Sequence, residues 1–109
     1  MVEIRIKSHQ WLVDEKGRII MGKGRMEILE QIEITGSINQ AAKAMKMSYK
    51  GVWSKIRSTE KHYGARIVHT DKKEGSRLSA EGRELLEKYR QLRNRCESSD
   101  NGIFKELFG

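Results

Sequence analysis

The stretch that leaves this chain the fewest choices runs from Ser37 to Tyr63, SINQAAKAMKMSYKGVWSKIRSTEKHY, because two serines at helix-start positions stand only eleven residues apart. Ser37 can accept from the backbone N–H of Gln40 while the Gln40 side chain reaches back, a capping box that opens a helix at Ile38. Ile38, Ala41, Ala42 and Met45 then share one helical face, and the two alanines let another helix approach closely. Lys46 and Met47 leave room for a brief turn before Ser48 caps a second helix. Two helices so close in sequence are expected to cross at a steep angle.

In the second helix Val52, Ile56, Thr59 and Tyr63 form an inward stripe. Tyr49, Lys50, Trp53, Ser54 and Arg57 fall on or beside the opposite face, as a reader of the DNA major groove would carry them. Gly51, a poor helix former, is expected to remove bulk where the helices cross. The competing reading is an ordinary amphipathic hairpin whose cationic face is merely solvated.

Charge distribution separates the two. The chain holds 22 Lys and Arg against 15 Asp and Glu, a formal net charge of +7. Residues 1–35 carry six of each sign, and so do residues 79–109, whereas residues 36–78 carry ten basic and three acidic side chains. A solubility charge has no reason to concentrate in this way. A polyphosphate partner selects it, through counterion release and electrostatic steering.

At 109 residues the chain is expected to form one domain, with no linker, repeat or low-complexity tract. Residues 1–24 read as a β ribbon, 25–78 as the helix pair with its supports, 79–97 as a dimerisation helix and 98–109 as a flexible tail. The N-terminus lacks the apolar run of a signal peptide, and no stretch reaches membrane-span length, so a cytoplasmic location is expected. The one cysteine, Cys96, has no internal disulfide partner and agrees with a reducing compartment. His9, His62 and His69 are widely separated, and no metal site or cofactor is expected. No nucleotide-binding glycine loop, nucleophile elbow or convergent set of nucleophile, base and orienting group appears, which argues against an enzyme.

Along the rest of the chain, Val2, Ile4 and Ile6 alternate with Glu3, Arg5 and Lys7, the period of a half-buried strand. Trp11-Leu12-Val13 and Arg18-Ile19-Ile20-Met21 read as a hairpin turning at Gly17, with Trp11 at a core or interface position. Gly22-Lys23-Gly24 reads as a break before a helix over 25–35, which buries Met26, Leu29 and Ile32 and stops at Gly36. Gly64 ends the second helix of the pair. Ala65–Thr70 and Arg77-Leu78 then form a hairpin around the polar turn 71–76, with Lys72 and Lys73 at its tip. A basic hairpin directly after a groove-reading helix is the wing of a winged helix-turn-helix, suited to phosphates or the neighbouring minor groove. The expected fold is therefore mainly α with small β ribbons.

Ser79 caps a long helix in which Leu85, Tyr89, Leu92 and Cys96 make a narrow seam. That seam is read as a dimer contact, since such readers commonly pair two recognition helices on a two-fold axis, or else as packing against the chain's own ribbon. Ser98–Gly102 is expected to be loose, and Ile103–Phe108 to form a short apolar turn.

The string TGSINQAAKAMKMSYKGVWSKI at 35–56, with Gly64, Ile67-Val68 and the Leu78-Ser79-Ala80-Glu81-Gly82 entry to the last helix, resembles the N-terminal DNA-binding domain of ModE-type molybdate-responsive regulators. More distantly it resembles that of LysR-type regulators. The likeness spans about residues 25–90, and the SYK and Trp at 48–53 are its most specific part. It implies a winged helix-turn-helix homodimer on operator DNA, with contacts at Ser48, Tyr49, Lys50, Trp53 and Ser54. The wing is shorter than in those regulators and lacks their glycine-rich run. Their molybdate-binding domains are not in this sequence, so molybdate binding by this chain is not expected.

The residues thus assign base contact to Tyr49, Lys50, Ser54 and Trp53, and phosphate contact to Lys43, Lys55, Arg57, Lys72, Lys73 and Arg77. Asn39 and Ser48 would hold helix ends against the backbone. The predicted function is sequence-specific transcriptional regulation on double-stranded DNA. The alternative is a small interaction module whose last helix and tail recruit a separate ligand-sensing protein.

Overall fold

The computed structural model describes residues 1–109. Its elements are β1 (Leu12–Val13), β2 (Ile19–Met21), α1 (Lys23–Thr35), α2 (Ile38–Ala44), α3 (Tyr49–Tyr63), β3 (Val68–Asp71), β4 (Gly75–Leu78) and α4 (Ala80–Phe108). The architecture is a winged helix-turn-helix preceded by a β-hairpin and completed by a long C-terminal helix.

The three helices before the wing enclose one core. Met26, Leu29 and Ile32 of α1 meet Ile38, Ala41 and Ala42 of α2 and Val52 and Ile56 of α3. Ile67, Val68 and Leu78 from the wing, and Leu85, Leu86 and Tyr89 from α4, close it from the other side. Ile28 joins the buried face of α1 beyond the expected stripe, whereas Tyr63 leaves the stripe of α3 and is 42% exposed. Tyr63 is the last residue before Gly64, and the left-handed Gly64 turns the chain away there.

The wing pairs in register Val68↔Leu78 to Asp71↔Gly75, so its return strand begins two residues earlier than expected. Alternation along β4 buries Ser76 and Leu78 and turns Arg77 outward. At the other end, β1 and β2 form a hairpin in which the Asp14 carboxylate accepts from the backbone N–H groups of Lys16 and Arg18. Gly17 turns it at a φ of 79°.

Two N-terminal expectations change. Residues 2–7 form no strand: the ribbon contains β1 and β2 alone. Residues 8–10, which follow them, are tied to α4: Tyr89 Oη donates to the Gln10 carbonyl at 2.6 Å, and Ser8 Oγ to the Asp100 carboxylate. Helix α1 starts at Lys23, with the extended Gly22 as its N-cap, so Gly24 lies inside the helix rather than in a break. Trp11 is 57% exposed, its ring pressed over Gly22, where an added Cβ would fall 2.3 Å from the ring.

Helix α4 corrects two further expectations. It runs 29 residues without interruption, about 43 Å at the helical rise, so residues 98–109 are helical rather than a loose tail. No proline interrupts it, and its Ser98–Gly102 stretch is tethered by the Ser8–Asp100 bond and flanked by the Arg93–Glu97 ion pair. Second, Leu85 and Tyr89 belong to the chain's own core, so a partner copy cannot use them. The first three turns of α4 must close the winged fold, and those turns contain both residues. Of the four seam residues only Leu92 and Cys96 keep accessible surface.

Candidate nucleic-acid interface

Each end of the helix pair is fixed by a local bond. Ser37 Oγ accepts from Gln40 N at 3.1 Å. The return bond from the Gln40 side chain is replaced by Thr35, whose Oγ1 accepts from Ser37 N at 3.3 Å. Lys46 adopts a left-handed φ of 55°, which reverses the chain within the turn. Ser48 Oγ then accepts from Gly51 N at 2.9 Å and starts α3. Gly51 is small for the sake of that cap rather than for the helix crossing, since a Cβ there would meet Ser48 Oγ at 2.9 Å and the Met47 methyl at 3.7 Å.

The outer face of α3 carries Tyr49, Lys50, Ser54 and Arg57 in solvent. Trp53 does not join them fully: it is half-buried, with one side packed on the core. Tyr49 meets its ring edge-on at 6.4 Å between centroids, and the Arg57 guanidinium lies 5.1 Å from its centroid. Trp53 thus braces two residues of the outer face, and the Arg57 contact is a cation–π pair.

Helix α3 is strapped from behind by the N-terminal ribbon. Arg25 Nη1 donates to the Ile19 carbonyl, Ser58 Oγ and Thr59 Oγ1 at 3.1–3.2 Å. Thr59 Oγ1 donates to the Ile20 carbonyl at 2.7 Å. Burial lowers the pKa of the Arg25 guanidinium from its ordinary value. Arg25 had no sequence signal, being one cation among many; only the fold shows that it sets where α3 lies.

The wing is bolted to the start of the helix pair. Ser76 N donates to the Gly36 carbonyl at 2.8 Å, and Glu60 of α3 accepts from Ile67 N and Val68 N at 2.9 and 3.3 Å. Asn39, Tyr49 and the wing residues Gly75 and Ser76 consequently surround one open cleft of about 510 Å³. Lys72 and Lys73 are exposed at the wing tip, as is Arg77 on β4. Lys43 is exposed near the end of α2. Lys55 is exposed too, but it sits on the ribbon side of α3 beside Trp11, Arg25, Met45 and Met47, away from the Tyr49–Trp53–Arg57 row. Lys46, Lys61 and Arg66 are further exposed cations of this region that the pattern alone did not single out.

Almost none of this positive charge is neutralised within the chain. Of nine ion pairs, only Arg77–Glu74, at 3.8 Å, involves residues 36–78. Two of the three acids there serve backbone donors: Glu60 as above, and Asp71 toward Lys73 N at 2.7 Å. No group of three or more His, Cys, Asp or Glu side chains converges as a metal site would require. No helix is long and apolar enough to cross a membrane.

Comparison with known proteins agrees with this geometry. Residues 24–83 match the bacterial regulatory helix-turn-helix proteins of the LysR family. The chain is 33% identical over 87 residues to the molybdenum transport protein ModE of Azotobacter vinelandii, a match covering 76% of this chain and 32% of that protein. The chain therefore spans about a third of that relative's length. Among solved structures, the CbnR DNA-binding domain in complex with DNA superposes with a TM-score of 0.63 at 18% identity, over 75% of this chain and 93% of that one. Vibrio fischeri DarR in complex with DNA gives 0.61 at 24% identity, over 79% of this chain and 30% of its own. These two likenesses establish the fold.

Proposed function

The chain belongs to the LysR family of bacterial regulatory helix-turn-helix proteins, and from that premise we propose that it is a ModE-like, sequence-specific regulator that binds operator DNA as a homodimer in the cytoplasm. The observation that carries the reading is the cationic surface of residues 36–78, paired within the chain only at Arg77, around an exposed α3 face. ModE-like identity rests on the SYK and Trp at 48–53 and on the 33% identical relative. Molybdate binding is not part of the proposal.

Tyr49, Lys50 and Ser54 face base edges, where an ammonium suits guanine acceptors and an aromatic ring suits a thymine methyl. Lys43, Arg57, Lys72, Lys73 and Arg77 contact phosphates, with Lys55 at the flank, while Asn39 and Ser48 hold helix ends to the backbone. Trp53 acts mainly by positioning Tyr49 and Arg57. The homodimer forms through the accessible part of α4, including Leu92 and Cys96.

The test is selection of bound fragments from random duplexes, repeated with two variants. Lys50→Ala should change the preferred sequence at a cost of roughly 1–3 kcal/mol. Lys72→Ala should weaken all sequences alike and flatten the salt dependence by about one unit. Equal loss of sequence preference from both changes would defeat the assignment. A second reading, an interaction module recruiting another protein, is favoured by the exposed Ile103, Leu107 and Phe108 near the end of α4. Light scattering distinguishes it, because the first reading requires a dimer from this chain alone.

A further inference from the structure

Residues 2–6 are built like a strand but pair with nothing. Val2, Ile4 and Ile6 alternate with charged residues, and all three are exposed. The backbone of residues 2–9 enters no backbone–backbone hydrogen bond within the chain. Glu3 and Arg5 share the other face, joined by a 3.3 Å ion pair with about four-fifths of each side chain in solvent. A segment with free N–H and C=O groups and a strand's alternation of apolar and charged residues is a template for another strand.

The charge pattern identifies that strand. Two copies can pair antiparallel about a two-fold axis with apolar residues facing apolar ones only if the axis passes between the two copies of a single residue, not between successive residues. Centring on Glu3 sets Glu3 against Glu3, and centring on Arg5 sets Arg5 against Arg5. Centring on Ile4 sets Val2 against Ile6, Ile4 against Ile4, and each Glu3 against the other copy's Arg5. A parallel in-register pairing again opposes like charges. Only the Ile4-centred register matches both faces.

We propose that residues 2–6 form an intermolecular antiparallel strand pair with the same segment of a second copy, centred on Ile4. The Ser8–Asp100 bond holds this segment beside the distal half of α4, so the strand pair adds to a dimer contact along that helix. The proposal deepens the homodimer reading and rests on it. On dimerisation the internal Glu3–Arg5 pair is exchanged for reciprocal pairs across the two-fold.

Charge reversal tests the register. Glu3→Arg or Arg5→Glu alone opposes like charges twice per dimer and should raise the dimer Kd about tenfold by analytical ultracentrifugation, while the double exchange restores it. Circular dichroism checks that each variant folds. A direct measurement uses Cys96→Ser as background. Ile4→Cys should cross-link efficiently under mild oxidant, because residues facing themselves across such an axis lie about 4.5–5.5 Å apart at Cα, within disulfide reach. Val2→Cys alone should not, since its counterpart lies about 14 Å along the strand. Cross-linking of Val2→Cys as readily as Ile4→Cys, or no rescue by the double exchange, overturns the register. A dimer that never cross-links at Ile4→Cys overturns the strand pair and leaves the homodimer standing, whereas a monomer under all conditions overturns both.

Discussion

Replacing Gly75 by Ala should do more damage than any other single methyl group in the wing. Gly75 sits at a φ of 79°, where an L side chain costs about 1 kcal/mol. Its added Cβ would also fall 2.4 Å from the Gly36 carbonyl oxygen, a contact between backbone atoms that no rotamer change relieves. Strand β4 must then retreat, breaking the 2.8 Å bond from Ser76 N to that carbonyl, which costs about another 1–3 kcal/mol when the groups stay unpaired. The sum is about 2–4 kcal/mol. Gly64→Ala supplies the control: its φ is 80°, but nothing lies within 4 Å of the new Cβ, so only the conformational cost of about 1 kcal/mol applies. Urea denaturation of both variants should place the Gly75→Ala midpoint about 0.7–2 M below that of Gly64→Ala, at a slope of about 1.5 kcal/mol/M. Equal midpoints would refute the claim that the wing is held by that close approach.

Three other outcomes follow from the same geometry. Tyr89→Phe removes the donor to the Gln10 carbonyl and should cost about 1–2 kcal/mol in thermal denaturation while speeding proteolysis of the N-terminal segment; burial raises the Tyr89 phenol above its usual 10.0, so it remains a donor at neutral pH. Leu85→Ala should destabilise by about 2–4 kcal/mol at any protein concentration, whereas Leu92→Ala should change folding stability by under about 0.5 kcal/mol and instead weaken dimerisation in ultracentrifugation. The Asp14 carboxylate is held below its usual 3.8, chiefly by the Arg18 backbone N–H and also by its side chain and the Lys16 N–H. Because the folded state binds this proton less readily than the unfolded state, the stabilisation is present above pH 3.8 and disappears as pH falls through the lowered value. Amide shifts of Lys16 and Arg18 followed by NMR should report that titration, and a midpoint at or above 3.8 would contradict the hydrogen bonding described.

What the sequence could and could not reveal divides by the range of the interaction. Ser37, Ser48 and Ser79 each act on a backbone N–H three residues ahead, so the starts of α2, α3 and α4 were legible from local chemistry. The outward set on α3 was legible from helical period, except that period alone could not show Trp53 leaning back onto the core. Residues 2–7 carried a sound strand pattern, but a pattern says nothing about whether an edge is free to receive it. The seam at Leu85 and Tyr89 failed for a related reason. Apolar residues at spacings of four and three fit a partner helix and the chain's own core equally well, and only the position of the wing under α4 decides between them. Residues 98–102 looked loose because Ser, Asp, Asn and Gly are weak helix formers, a preference that the tether at Asp100 runs against.

The concentration of charge in the sequence became a property of the surface because of how the acids are used. Outside residues 36–78, carboxylates meet cations: Arg90 alone reaches Glu30, Glu33 and Glu87, tying α4 to α1. Inside that region Glu60 and Asp71 accept from backbone N–H groups that shape the wing, and they form no ion pair with the surrounding lysines. Had Glu60 instead paired with a lysine of α3, the wing would lose its anchor and the helix its free charge together. The same carboxylate therefore fixes the wing beside the reading helix and leaves the cations around it open to phosphate, which is why a count of charges along the chain could locate the face that meets DNA in the proposed function.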